Sequence, residues 1–270
     1  MTNAIKSVSE VQTFINIIKS ANSNYLTNFY VTTDKIEKYI DQKNLMVEYY
    51  DGVTFFLRKD LGFYRVNFYA KSLDNLEQAV RKILNIKKQP LVLDIIGEES
   101  NIAPTIELFK SNGFKIYQRL VRMTLTHCLL NKTRKANQDI IKAAFHDAKE
   151  ILELFLKFFD PIAEQIPILY EIENAIILGQ IWIKKIEKKI IGLLFYETKG
   201  KTSLLRYWLV SPKYRRQGIG EALMSIWFQE HLDIQRFLLW VRVDNTYSMY
   251  RYSNYGFKPN KLEDFVLVKI

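Results

Sequence analysis

Val210-Ser211-Pro212-Lys213-Tyr214-Arg215-Arg216-Gln217-Gly218-Ile219-Gly220 is the stretch on which the reading of this chain turns. Before it stands Ser203-Leu-Leu-Arg-Tyr-Trp-Leu-Val210, whose aromatic and aliphatic content over so short a length favours a buried strand over a helix. Ser211-Pro212 ends that strand, because proline cannot donate to a ladder. Beyond it Ile219, Ala222, Leu223, Ile226 and Trp227 recur at three- and four-residue steps, which predicts a helix from about Gly218 to about His231. Its first turn holds Gln217, Gly218, Ile219 and Gly220. A helix amino end carries about half a positive charge, and an anion there gains roughly 0.3–2 kcal/mol. Glycines at 218 and 220 remove Cβ atoms that would keep an anion off the backbone, and Arg215 and Arg216 add charge at the same mouth. Two glycines before a helix are, by themselves, equally compatible with a plain helix start.

Spacing separates the phosphate loops. G-x-x-x-x-G-K-[ST] is absent, as is a full G-x-G-x-x-G after a strand, so nucleotide hydrolysis and dinucleotide binding drop out. What stands is V-x-P-x-Y-R-x-x-G-I-G, which resembles the acyl-CoA-binding motif of the GNAT family of N-acyltransferases. A second segment follows in order. Phe237-Leu-Leu-Trp-Val-Arg-Val-Asp244 reads as a buried strand, and Asn245, Ser248, Tyr252, Gly256 and Phe257 resemble that family's N-x-x-[AS]-x-x-x-Y-x-x-x-G-F segment. The resemblance covers about the last 135 residues. It implies acetyl-CoA as co-substrate, held by Trp208, Leu209, Val210, Arg215, Arg216, Gln217, Gly218, Ile219, Gly220, Asn245 and Ser248, with no metal. By the same resemblance Trp208, Leu209 and Val210 line the pantetheine arm, and a main-chain N–H near Leu209 or Val210, where the family's strand bulges, polarises the thioester carbonyl.

Moving an acyl group from a thioester to an amine requires a polarised carbonyl, a protonated leaving thiolate and a neutral amine. A phenol with a pKa near ~10 is protonated at neutral pH and acidic enough to donate to a thiolate, which makes Tyr252 the candidate catalytic acid. Packing of a helix against the sheet is the competing role for one of 16 tyrosines. Some branches of the family place a glutamate six residues before the valine that ends the central strand; that position is Leu204 here, so the base is open. Glu197, Asp244 and Glu173 are loose candidates, and a bound water serves equally well. His127, His146 and His231 lack metal-ligand spacing and are expected in solvated or core roles. Cys128 beside His127 is not a dyad, because adjacent strand residues point to opposite faces.

The chain has 270 residues, 48% of them hydrophobic, enough for one large or two ordinary domains. A single cysteine excludes an internal disulfide framework. There is no apolar run near about eighteen residues, and Met1 to Lys6 has no signal-peptide core, so the expectation is a cytoplasmic protein with no membrane partner. The net charge of +10 is dispersed rather than clustered. Lys184-Lys185 and Lys188-Lys189 flank an expected hairpin turn at Ile186-Glu187 and suit edge protection. Nucleic acid is therefore disfavoured as a partner, and a polyanionic coenzyme takes up part of the charge.

Two halves share one order of elements. The first is expected to run helices at about 10–20 and 33–42, strands at 45–50, 54–58 and 63–69, a helix at 73–84, a strand at 91–96, a helix at 102–111 and a strand to Thr126. The second is expected to run a strand at 139–143, helices at 148–159 and 162–177, strands at 181–186, 190–197 and 203–210, then helix, strand, helix and a last strand. Ser111-Asn112-Gly113-Phe114 echoes Ser253-Asn254-Tyr255-Gly256-Phe257 about half the chain later. At that offset Tyr252 falls on Phe109, Arg215 on Ser72, Gly218 on Asn75 and Gly220 on Glu77. The expectation is therefore α/β (α+β): two GNAT-like domains, each a mostly antiparallel mixed sheet flanked by helices, packed as a pseudo-dimer. Residues 1–130 would form a degenerate copy without the cofactor motif and 138–270 the catalytic copy, joined around Leu130 to Gln138. The acceptor, a small-molecule or peptide amine, would enter near Phe159 to Tyr170, where Phe158, Phe159 and Tyr170 line a pocket or fill core; homodimer formation stays open. Two other readings remain. Fem-type aminoacyl transferases also carry tandem GNAT-like domains and use charged tRNA, though they are usually longer and bear a helical arm. A non-catalytic acyl-CoA-binding sensor is the other.

Overall fold

The computed structural model describes residues 3–86, 89–126 and 139–270. His127, Cys128 and the expected connection at 130–138 lie outside the described residues. In chain order the first part runs β1 (Asn3–Ala4), α1 (Val8–Ala21), β2 (Leu26–Thr27), α2 (Thr33–Asp41), β3 (Leu45–Tyr50), β4 (Val53–Lys59), β5 (Tyr64–Ala70), α3 (Leu73–Ile86), β6 (Leu91–Glu98), α4 (Glu99–Ser111) and β7 (Lys115–Thr126). The second runs β8 (Ile140–Lys142), α5 (Ala148–Phe158), α6 (Leu169–Ile177), β9 (Ile181–Ile186), β10 (Lys189–Lys199), β11 (Thr202–Val210), α7 (Ile219–Gln229), β12 (Arg236–Arg242), α8 (Thr246–Asn254) and β13 (Lys258–Lys269).

Two compact units result, and they are not the contiguous stretches 1–130 and 138–270. One comprises Met1–Arg119 with Lys261–Ile270, the other Leu120–Asn260. The last strand of each sheet is thus supplied from the far side of the sequence midpoint. In the first unit β13 pairs antiparallel with β6, Leu262 opposite Glu98 through Lys269 opposite Leu91. In the second, β7 pairs antiparallel with β12, Leu120 opposite Arg242 through Thr126 opposite Arg236. Which strand completes which sheet is settled by long-range side-chain packing, to which local hydrophobic pattern is blind.

Within the first unit β3, β4 and β5 form an antiparallel meander. β5 then meets β6 in parallel over two residue pairs only, Tyr64 with Leu91 and Arg65 with Val92. Beyond that point the strands part, and the gap is bridged from within. The Asn28 amide donates to the carbonyls of Val66 on β5 and Asp94 on β6, both at 3.1 Å, and accepts the Phe68 N–H at 2.7 Å. Just before it, β2 pairs with Tyr69 and Ala70 like an added strand.

The second unit repeats the scheme: β9, β10 and β11 are antiparallel, and β11 meets β12 in parallel from Thr202 with Arg236 to Leu205 with Leu239. The hairpin between β9 and β10 turns at Glu187-Lys188, whose φ values are 49° and 66°, one residue later than expected. The helix expected from Ile162 starts only at Leu169. Pro167 has no N–H and biases Ile166 away from helical backbone, and Gln165 sits at φ 44°.

The Gly-Phe echo is structural. Gly113 (φ 85°) and Gly256 (φ 94°) end α4 and α8 in the left-handed region. The next residue in each case returns its N–H to the helix, Phe114 to Phe109 and Phe257 to Tyr252, both at 3.1 Å. Phe109 and Tyr252 therefore occupy the same place in the two units, and the first lacks the hydroxyl.

Candidate active site

The site begins with an irregularity in β11. Phe195 on β10 faces Tyr207 and Tyr196 faces Leu205, so Arg206 is an extra residue. One extra residue exchanges the faces of everything after it. Ser203 and Leu205 point to α7, where Ser203 Oγ takes the Trp227 indole N–H at 2.9 Å. Tyr207 and Leu209 instead enter the core under α5 and α6, and Trp208 and Val210 face α7 and α8. The bulge expected near Leu209 or Val210 is thus at Arg206, while Leu209 and Val210 stay in register with Leu193 and Gly192. Their free edge comes from the other side: pairing with β12 ends at Leu205 and Leu239.

That parting opens a cleft of about 190 Å³ within the second unit. Its wall includes Arg206, Trp208 and Leu209 from β11, Trp240 and Arg242 from β12, and Asn245, Ser248 and Tyr252 at α8. Phe158, Phe159 and Glu164 close it from the α5–α6 side, and Arg215 lines it too.

Arg215, which lines the cleft, leads into the amino end of α7. Ser211 N–H still pairs with the Ile191 carbonyl at 2.8 Å before Pro212–Tyr214 make one 3-10 turn. Arg216 (φ 64°) and Gly218 (φ 80°) both take left-handed backbone. The first helical bond runs from Ala222 N–H to the Gly218 carbonyl, so the amides of Ile219, Gly220 and Glu221 precede it. Arg215, Arg216, Gln217 and Gly218 are exposed, whereas Ile219 and Gly220 are buried. The two glycines serve different ends. A Cβ on Gly218 would meet nothing within 4 Å, so glycine answers the positive φ; a Cβ on Gly220 would lie 3.0 Å from Trp208 Cζ2, so glycine there admits the indole. This cradle of amides flanked by arginines fits a diphosphate, and the free edge of β11 fits an extended amide-bearing arm.

The expected residues divide accordingly. Trp208, Leu209, Arg215, Asn245, Ser248 and Tyr252 meet at the cleft; Arg216, Gln217 and Gly218 form the exposed turn; Val210 is tied by its carbonyl to Arg215 Nε at 3.1 Å. The Asn245 Oδ1 accepts the Ser248 N–H at 3.1 Å, capping α8. Tyr252 is 9% exposed, its ring 5.6 Å from Trp208 and 6.1 Å from Phe257. Burial, then the nearby Glu164 charge, pushes its phenol above the usual value, against the pull of Arg251.

The loose base candidates separate sharply. Glu197 is engaged by Arg206 at 2.6 Å and Asp244 by Arg242 at 2.8 Å; Glu173 does not line the cleft. Glu164, which the sequence reading passed over as a helical residue, does. Its signal was the Asp160-Pro161 and Pro167 punctuation around it. His231 lies in the core, Nδ1 2.7 Å from the Trp227 carbonyl and Nε2 3.1 Å from Thr198 Oγ1; His146 is exposed. Among the described residues no group of acids, histidines and cysteines could hold a metal ion, and no helix is long and apolar enough to cross a membrane.

The second unit is thus an α/β domain in which a parallel strand pair opens into a cleft lined by Arg215, just before α7, and by Tyr252. Residues 139–257 match the family model described as "Acetyltransferase (GNAT) family", which places a GNAT domain in the second unit. Solved structures extend the likeness across both units. A GCN5-related N-acetyltransferase from Sphaerobacter thermophilus superposes with a TM-score of 0.61 at 10% identity, over 100% of this chain and 95% of its own. A GNAT-family acetyltransferase from Colwellia psychrerythraea gives 0.59 at 11%, over 99% and 98%. A tandem GNAT protein from the clavulanic acid biosynthesis pathway gives 0.57 at 11%, over 83% and 78%. At such identities the likeness concerns the fold: two GNAT-like domains. No curated protein matches the sequence.

Proposed function

We propose that this protein is an N-acetyltransferase that moves an acetyl group from acetyl-CoA to a primary amine by direct attack, with both substrates bound together in the second unit. The observation that carries the reading is the parting of β11 from β12 into a cleft that Arg215, just before α7, and Tyr252 both line. The amides of Ile219, Gly220 and Glu221, with Arg215 and Arg216, hold the diphosphate. The edge of β11 at Trp208, Leu209 and Val210 pairs with the pantetheine, and the thioester supplies the activated acyl group. Tyr252, kept protonated by its burial, gives its proton to the departing sulfur.

The first unit binds no acyl-CoA in this reading. Its equivalent opening is bridged by Asn28, and Phe109 stands where Tyr252 stands. The chain acts without a nucleic-acid partner.

Calorimetric titration with acetyl-CoA, followed by thiol release over a panel of amines, tests the proposal. One site per chain and amine-dependent thiol release are expected. Absence of binding at millimolar acetyl-CoA would refute it.

A further inference from the structure

The cleft holds a carboxylate that coenzyme binding leaves unused. Glu164 lies on its wall with Phe158, Phe159, Tyr207 and Tyr252. The loop that carries it is clamped: Asp160 N–H donates to Glu164 Oε2 at 2.9 Å, and Glu164 N–H donates to the Asp160 carbonyl at 2.8 Å. The Tyr207 hydroxyl sits 2.7 Å from the Glu164 carbonyl and 2.9 Å from that of Gln165. The direction of the side chain is therefore set before any substrate arrives. Glu197 and Asp244 are already paired with arginines. Among the described residues no lysine or arginine forms a direct ion pair with Glu164; Arg242 acts on it at longer range and is itself paired with Asp244.

We propose that Glu164 receives the ammonium group of the acceptor and takes its proton, which makes the acceptor a small protonated primary amine. This rests on the acyl-transfer reading above. The ammonium gives one proton to the Glu164 carboxylate, and the freed nitrogen lone pair forms a C–N bond to the thioester carbonyl carbon. The C–S bond breaks with its electron pair on sulfur. Sulfur takes the Tyr252 proton, Tyr252 is reprotonated by the nitrogen, and Glu164 passes its proton to water. The products are an amide, a free thiol and one released proton.

The surroundings agree with this role. The charged groups facing Glu164 are Asp160 on its own loop and Arg242 and Asp244 at the end of β12; Tyr207 of β11 and Tyr252 of α8 complete the setting. Burial holds its carboxyl above the usual range, with Asp160 and Asp244 adding to the effect and the Asp160 N–H and Arg242 opposing it. A carboxylate of raised proton affinity is a better base toward an amine.

Glu164→Gln and Glu164→Asp test this against wild type, with the amine turned over fastest among ethanolamine, putrescine, spermidine, tyramine and lysine. Three quantities are read: acetyl-CoA affinity, affinity of that amine for the CoA-saturated protein, and the pH profile of kcat/KM for the amine. Glu164→Gln is expected to leave acetyl-CoA affinity unchanged, weaken amine binding about tenfold, lower kcat/KM about 100-fold or more and abolish the acid limb. Glu164→Asp keeps the limb. An unchanged profile in Glu164→Gln, loss of acetyl-CoA binding together with activity, or an acetyl-CoA-binding wild type that takes none of the five amines each overturns the Glu164 role alone. A wild type that binds no acetyl-CoA overturns the acyl-transfer reading itself.

Discussion

Replacing Gly218 with alanine isolates one physical demand of the site. The residue sits at φ 80° with open space where a Cβ would go, so the substitution adds strain and no collision. An L residue in left-handed backbone costs about 1–2 kcal/mol. If the turn keeps its shape, that cost appears as lost stability, roughly 2–4 °C in Tm per kcal/mol for a unit of this size. If the turn relaxes instead, the amides of Ile219 and Gly220 leave their places, and acetyl-CoA affinity falls by about 5–30-fold for the same free energy. Asparagine tolerates this backbone better than alanine, so the order should be Gly218, then Asn, then Ala. Thermal melts and calorimetry on the three proteins decide it. Alanine and asparagine variants that both match wild type in Tm and in affinity would refute the assignment of Gly218 to backbone geometry.

Other outcomes follow from other parts of the molecule. Tyr252→Phe should lower kcat about 100-fold or more while acetyl-CoA affinity holds; because burial raises the phenol, wild-type turnover should show no loss through pH ~10 attributable to this group. Asn28→Ala strips partners from Phe68 N–H and the Val66 and Asp94 carbonyls and should cost about 1–3 kcal/mol in urea melts; a change under about 0.5 would oppose the bridging role. Burial, then Asp94, raises the Asp264 carboxyl well above the usual range, against the pull of Arg65. The stability it contributes is present below the unfolded carboxyl pKa of about 3.9 and lost as pH rises through the folded value. Asp264→Asn should therefore raise Tm at pH 7, with the gain shrinking toward pH 4.

Much of the fold was legible because local chemistry and tertiary contacts agree. The strand at Leu45–Tyr50 and the helix limits around Leu73 and Ala148 follow hydrophobic period and turn residues alone. The Gly-Phe helix ends were readable because only glycine enters the left-handed cap cheaply. The coenzyme half of the site was legible as well, since amides at a helix start depend on sequence-local backbone. Arg206 was not, because a strand with a bulge has the same alternating residues as one without. Glu164 was hidden because Ile162 to Ile177 carries helical spacing, which outweighed Pro161 and Pro167, and the clamp from Tyr207 that aims the loop comes from forty-odd residues on.

By itself the sequence determined the helices, the strands, the glycine turn at 215–220 and the tyrosine that follows it, since each rests on interactions within a few residues. The tertiary structure decided the exchange of last strands between the units, the filling of one opening by Asn28 while the other stays a cleft, and the placing of Glu164 on the wall of that cleft. Those depend on which groups meet across tens of residues of chain, where pairing energies are alike for many partners and only simultaneous packing selects one.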